Sequence, residues 1–189
     1  MSENWRANFN KIASVSDQDW DVMVRRLQKV KFKKKEIILK YGAVENYISF
    51  VNKGIVRYTF LRDGQNVSFN FHFPNSSFSA YDSFLLRIPT EYQIQAVTDV
   101  EILRISYDDI HQVYKESGVG NTIARKIVEG LYIAKVRREL SLLTDDAETR
   151  YRRLLQDWPE LVKQLPLKDI ASYIGITPQA LSRIRRIVL

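Results

Sequence analysis

The chain has 189 residues, 45% hydrophobic and 27% charged, and a formal net charge of +7. That is enough for one large or two modest hydrophobic cores in an ordinary globular protein. The absence of cysteine excludes disulfides, thiol catalysis and thiolate metal sites. The N-terminal stretch MSENWRANFNKIASV has no long apolar core, and no apolar run approaches the roughly 18 residues a membrane span needs. Neither a signal peptide nor a membrane contact is therefore expected, and a cytoplasmic location is. The basic balance points weakly to an anionic partner, so the position of the charge matters more than its sum.

Residues 16–29, SDQDWDVMVRRLQK, have the spacing of a short amphipathic helix, with Ser16 as N-cap, acids in the first turn and basic residues in the last. Lys29, Lys31, Lys33, Lys34 and Lys35 then form a solvated edge leading into the first strand. From about residue 31 to 107 the period is two. NVSFNFHF sets Val67, Phe69, Phe71 and Phe73 on one face and Ser68, Asn70 and His72 on the other. Turn signals recur at Tyr41-Gly42, Asn52-Lys53-Gly54, Asp63-Gly64 and Pro74-Asn75. Asp63-Gly64 suits a type I′ hairpin, whose two central positions both need positive φ. Many short strands with frequent turns predict an antiparallel barrel or jelly roll. Its aromatics, Phe69, Phe71, Phe73, Phe78, Tyr81, Phe84 and Tyr92, fit either a filled core or a pocket for an apolar or aromatic effector.

After Ser106 the period becomes helical. YDDIHQVYKES is a short helix closed at Gly118, and residues 120–143 form a long helix without proline. Ile123, Ile127, Gly130, Ala134, Arg137 and Ser141 recur at spacings of three or four, a narrow stripe for dimerisation or for packing on the helix's own barrel. Small residues at Gly130 and Ala134 let a second helix approach. Residues 147–158, AETRYRRLLQDW, form a further helix stopped by Pro159.

The segment LPLKDIASYIGITPQALSRIRR, residues 165–186, has two short helices and a tight turn. Leu167, Ile170, Ala171 and Ile174 form one buried stripe. Gly175 can take the left-handed conformation that ends a helix, and Ile176 plugs the angle. Thr177 caps the second helix, Pro178 takes its first position, and Leu181, Ile184 and Val188 bury it. The opposite face carries Gln179, Ser182, Arg183 and Arg186. Gln and Arg can make bidentate contacts with adenine and guanine, and Ser can bond a phosphate or a base edge. Residues 178–189 contain no acid, which suits the major groove of double-stranded DNA.

With IASYIGITPQALSRIRR at its C-terminal end and AVTDVEILRIS before a helix at the end of its strand-rich part, the chain resembles the Crp/Fnr-type transcription regulators, the family of the cyclic-AMP receptor protein. The resemblance implies an α+β chain with an N-terminal double-stranded β-helix (jelly roll) of the cyclic-nucleotide-binding type over 1–119, a dimerisation helix over 120–143 and a helix-turn-helix DNA-binding domain over 144–189. It implies a non-enzymatic regulator acting as a homodimer on DNA, with RNA polymerase as a further candidate partner. The DNA-binding candidates are Thr177, Gln179, Ser182, Arg183, Arg185 and Arg186. Arg183 matches a family base or phosphate contact and Thr177 the cap. Gln179 replaces the usual Glu, and Pro178 stands where some members place a base-reading Arg. The chain ends at Leu189, so a C-terminal wing would be missing or truncated.

Aligned with the family's nucleotide cassette, the Gly-Glu pair falls on Ser79-Ala80 and the Arg-Ser/Thr pair on Thr90-Glu91. Both charged anchors are replaced, so a degenerate pocket near Ala80, Thr90 and Glu91, with Glu91 opposing a phosphate, argues against cyclic AMP in the usual mode. No cofactor is implied: iron–sulfur ligation needs Cys, and a haem would have only His72 and His111, each expected at the surface or hydrogen-bonded. A catalytic cupin-like barrel would need a His and carboxylate cluster that two separated His do not supply. The remaining alternative is an effector-sensing or protein-interaction module that keeps the fold without binding DNA.

Overall fold

The computed structural model describes residues 2–188. Two helices, α1 (Ser2–Asn10) and α2 (Asp17–Val24), precede β1 (Gln28–Phe32), β2 (Ile37–Leu39), β3 (Tyr47–Lys53), β4 (Val56–Arg62), β5 (Gln65–His72) and β6 (Ser77–Phe78). A short helix α3 (Tyr81–Leu86), β7 (Gln93–Ala96), β8 (Val100–Ser106) and α4 (Tyr107–Glu116) complete the first half. Then follow α5 (Gly120–Thr144), α6 (Ala147–Asp157), α7 (Pro159–Val162), α8 (Leu167–Tyr173) and α9 (Pro178–Val188). No helix among the described residues is long and apolar enough to cross a membrane.

Two four-stranded antiparallel sheets, ordered β1-β8-β3-β6 and β2-β7-β4-β5, face each other as the expected jelly roll. Val51, Val56, Ile94, Ala96, Val100 and Ile102 pack between them. The turn signals work as predicted, with positive φ at Gly42, Gly54, Asp63, Gly64 and Asn75. At Gly54 the requirement is doubled, because a Cβ there would lie 2.2 Å from the Asp99 carbonyl. The lysine run lies partly within β1, an edge strand, where Lys31 pairs with Glu101 at 3.2 Å. Edge lysines keep such a strand from pairing with another chain.

Three expectations are corrected. The helix over 16–29 is only α2: Ser16 does cap it, accepting from the Asp19 amide, but it ends at Val24, ahead of Arg25 and Arg26. The strand-rich region contains α3, which period-two patterning hid, and α2 is preceded by α1, whose Trp5 and Phe9 pack on Trp20 and Phe50. The alternation in NVSFNFHF also breaks. Tyr58 pairs with Asn70 but Thr59 with Ser68, so Phe69 is the extra residue of a β-bulge. Phe69 and His72 consequently point into the barrel beside Tyr58, while Phe71 and Phe73 point outward onto Tyr173 and Trp158. Phe69 thus lies opposite its predicted partners.

The outward aromatics form the floor of the C-terminal part. Phe71, Phe73 and Ile55 share one core with Tyr151, Leu154, Ile170, Ala171, Ile174 and Leu181. At its edge, the Asp169 carboxylate accepts from Arg57 Nη1 at 2.6 Å and from Ser68 Oγ at 3.0 Å. Arg57 also donates from Nε and Nη2 to Gln95, and Ser172 Oγ donates to the Ser68 carbonyl at 2.6 Å. Helix α8 is therefore seated on β4 and β5 by a polar network around a carboxylate that is 2% exposed.

Candidate nucleic-acid interface and barrel cavity

The angle between α8 and α9 is built by local chemistry. The Ile176 amide donates to the Ala171 carbonyl at 2.9 Å and the Gly175 amide to the Ser172 carbonyl at 3.1 Å, with Gly175 at φ +75°. These two bonds are the Schellman closure of a helix, and the left-handed residue at its centre favours glycine. Thr177 Oγ1 then accepts from the Ala180 amide at 3.2 Å and caps α9. Leu181 is fully buried against α8, with Ile184 and Val188 partly buried beside it. Two arginines fix the end of α8 from outside: Arg138 donates to the Tyr173 carbonyl at 2.7 Å and Arg150 to the Ile174 carbonyl at 2.8 Å. Cations at a helix C-terminus are favoured by its dipole. Sequence reading did not single out Arg138, Arg150, Arg57 or Asp169, because each acts across long chain separations.

This scaffold leaves Gln179, Arg183, Arg185 and Arg186 exposed on α9, Thr177 exposed at its cap and Ser182 half-buried. No ion pair or hydrogen bond among the described residues engages the three arginines. Ile187, exposed and one turn beyond Arg183, belongs to the same surface and adds an apolar side chain to it. Leu189, and any wing after it, lies outside the described residues.

Along α5 the predicted stripe divides. Ile123 is buried and Ile127 partly buried against α2, α4 and the first sheet, whereas Gly130, Ala134 and Arg137 are exposed and Ser141 bonds Asp145. Exposed apolar side chains on α5 are Leu131, Tyr132, Ile133, Val136, Leu140, Leu142 and Leu143, of which Ile133, Val136, Leu140 and Leu143 recur at spacings of three, four and three. Ile133, Val136 and Leu140 each precede by one residue Ala134, Arg137 and Ser141 of the predicted stripe, and Leu142 covers the turn at Gly175.

Between the barrel and α5 lies a cavity of about 520 Å³. Tyr58, Phe69, Phe78, Tyr81 and Tyr92 line it from the barrel, and Ile123, Ala124, Ile127 and Leu131 from α5. Phe84, also in the aromatic list, is buried behind Tyr81 and does not line it. His72 is a wall residue, 9% exposed, and its Nε2 accepts from the Asn70 side-chain amide at 3.2 Å. Burial lowers its pKa to about 4, with the charge of Lys135 a smaller contribution, so its ring is neutral. Burial also raises the Tyr92 hydroxyl, which is bonded to Asp82, and raises the Tyr58 hydroxyl, which donates to the Ser79 carbonyl. His111 lies apart, in α4, with Nδ1 against the Tyr107 carbonyl at 2.7 Å. Among the described residues no group of His and acids is arranged to hold a metal.

Of the aligned nucleotide positions, Ala80 and Thr90 are buried and Glu91 is exposed, and none of the three lines the cavity. Ser79, beside Ala80, does. The Ala80 amide already donates to the buried Glu45 carboxylate at 3.3 Å. Lys135, exposed at the rim, is the only lysine or arginine lining it among the described residues. The described walls therefore hold no enclosed cation to meet the phosphate of a cyclic nucleotide.

Residues 29–117 match the family model of the cyclic nucleotide-binding domain. No curated protein sequence matches the chain significantly. Solved structures share its fold. FixK2 from Bradyrhizobium japonicum superposes with a TM-score of 0.71 at 20% identity, over 86% of this chain and 84% of that one. A CooA mutant from Carboxydothermus hydrogenoformans gives 0.69 at 19%, over 86% and 76%. A putative Crp/Fnr-family transcriptional regulator from Eubacterium rectale gives 0.68 at 16%, over 91% and 82%. The fold is that of the Crp/Fnr regulators: a barrel of the cyclic-nucleotide-binding type, a long helix, and a C-terminal group of helices.

Proposed function

We propose that the chain is a cytoplasmic, homodimeric, sequence-specific transcription regulator of the Crp/Fnr type that does not respond to cyclic AMP in the usual mode. The observation that carries this reading is the exposed face of α9, where Gln179, Arg183 and Arg186 stand unpaired on a helix held at a fixed angle by a capped turn. An acid-free surface of this kind meets the phosphate backbone without repulsion and offers bidentate donors to base edges. Thr177 and Arg185 contribute contacts to the backbone, and Ser182 to either. The exposed seam Ile133, Val136, Leu140 and Leu143 supports a two-fold pairing of α5 helices, which would set two α9 helices against successive major grooves. RNA polymerase fits as a further partner of a regulator so placed.

Selection of bound duplexes from a random DNA pool tests the reading. The expected product is a pseudo-palindrome with half-sites about 10 bp apart, or a multiple of that spacing. Recovery of no enriched sequence, with the protein folded and dimeric, refutes it.

A further inference from the structure

We propose that the barrel cavity is a binding site for a small, uncharged aromatic ligand in place of a cyclic nucleotide. At about 520 Å³ it falls in the range of sites that enclose small organic molecules, roughly 300–1,000 Å³. The polar groups beside its aromatic wall are already engaged with one another. The Tyr58 hydroxyl donates to Ser79, the Tyr92 hydroxyl is bonded to Asp82, and Asn70 binds both His72 and the Phe71 amide. A phosphate brought inside would lose its water and meet no enclosed cation, since Lys135 stands exposed at the rim, which costs several kcal/mol. An aromatic ring loses nothing of that kind.

The wall geometry also favours rings over alkyl chains. Tyr58 stacks on Tyr92 with centroids 5.5 Å apart, and Phe69 stands edge-on to both, at 5.8 Å from Tyr58 and 5.3 Å from Tyr92. Such a set presents a face and an edge to the cavity, the two arrangements in which an added ring gains beyond its buried area. The bulge at Phe69 is what creates it, since strict alternation would turn that ring outward. On the opposite wall α5 contributes mainly small or aliphatic side chains, among them Ala124, Ile127, Val128 and Leu131, with the exposed Tyr132 and Lys135 beyond them.

The inference depends on the fold and the cavity, and not on DNA recognition by α9, so the two fail separately. The test is titration of the full chain with 2-naphthol, followed by calorimetry and by thermal unfolding, with cyclic AMP and decanoate as parallel arms. 2-Naphthol is expected to bind saturably, one per chain, and to raise Tm, while cyclic AMP and decanoate do neither. Ala124→Phe, which fills the cavity from α5, should weaken 2-naphthol by at least about tenfold. Leu131→Trp serves the same purpose at the more exposed end should the first variant fail to fold, and Ile127→Ala, which enlarges the cavity, should retain binding. Absence of 2-naphthol binding, equal binding to both filled variants, decanoate binding as tightly as 2-naphthol, or cyclic AMP binding in competition with it would each overturn the proposal. Mobility shift on selected DNA, run on the same preparations, reads the α9 surface independently.

Discussion

Arg183 and Arg186 lie on one helix, three residues apart, yet removing them should have different consequences. Arg183 sits one turn nearer the N-terminal end of α9, which in helix-turn-helix proteins meets base edges, while Arg186 is nearer the flanking backbone. Arg183→Ala should cost about 1–3 kcal/mol of discrimination between the selected site and a mutated one, and Arg186→Ala should weaken all sequences alike. Competition mobility shift separates the two, and unchanged discrimination by Arg183→Ala would remove it from the readout. At His72 the prediction concerns pH. The unfolded chain takes up a proton on this residue below about pH 6.5, whereas the folded chain resists it until about pH 4. Unfolding therefore binds protons in that window, and stability falls as pH is lowered through it, by on the order of 3 kcal/mol. His72→Gln should flatten this part of the stability profile in urea titrations at stepped pH.

At the level of elements, α5 has two jobs divided along its length. Its first turns are anchored by buried Ile123 in the core shared with α2 and α4, and its second half is exposed. Leu140 is 54% exposed, so Leu140→Glu should leave the single chain folded while placing two like charges against each other at a paired seam. On the proposed pairing, light scattering should then report a monomer for the variant and a dimer for the parent, and binding to a palindromic site should fall by about a hundredfold or more as the second half-site is lost. Of the stripe read from spacings of three and four, Ile123 and Ile127 are taken up by the chain's own N-terminal core, which leaves only its later positions open to a second helix.

For the whole molecule, the decisive contact is between the barrel and α8. Arg57, Ser68 and Asp169 lie more than a hundred residues apart in part, and the carboxylate they surround is excluded from water. Removing one member of a buried charge pair strands the other, so Asp169→Ala should lower stability by on the order of 3 kcal/mol. Hydrogen exchange should locate the loss in α8 and α9, with the barrel amides still protected. The double variant Arg57→Met with Asp169→Leu, which leaves no stranded charge, should recover most of it. Equal loosening of the barrel would refute the idea that this network seats the C-terminal helices. Because Arg57 and Ser68 adjoin Tyr58 and Phe69, the strands that grip α8 outside are the ones that line the cavity inside.

The sequence by itself determined the jelly roll, the long helix and the two-helix turn, since each rests on local signals: period-two patterning, positive-φ turn residues, a cap, a breaker and an apolar stripe. Gly175, Thr177 and Leu181 act in the structure as their positions in the chain imply. Tertiary structure decided what local signals cannot carry. A one-residue bulge, invisible in NVSFNFHF, reversed the facing of Phe69 and so shaped the cavity. α1 could be recognised only through its partners Trp20 and Phe50, and α3 is too short to impose a period. The pairing of Arg57 with Asp169, and the seating of α8 on β5, bring together residues whose attraction exists only once folding has removed the water and the intervening chain between them.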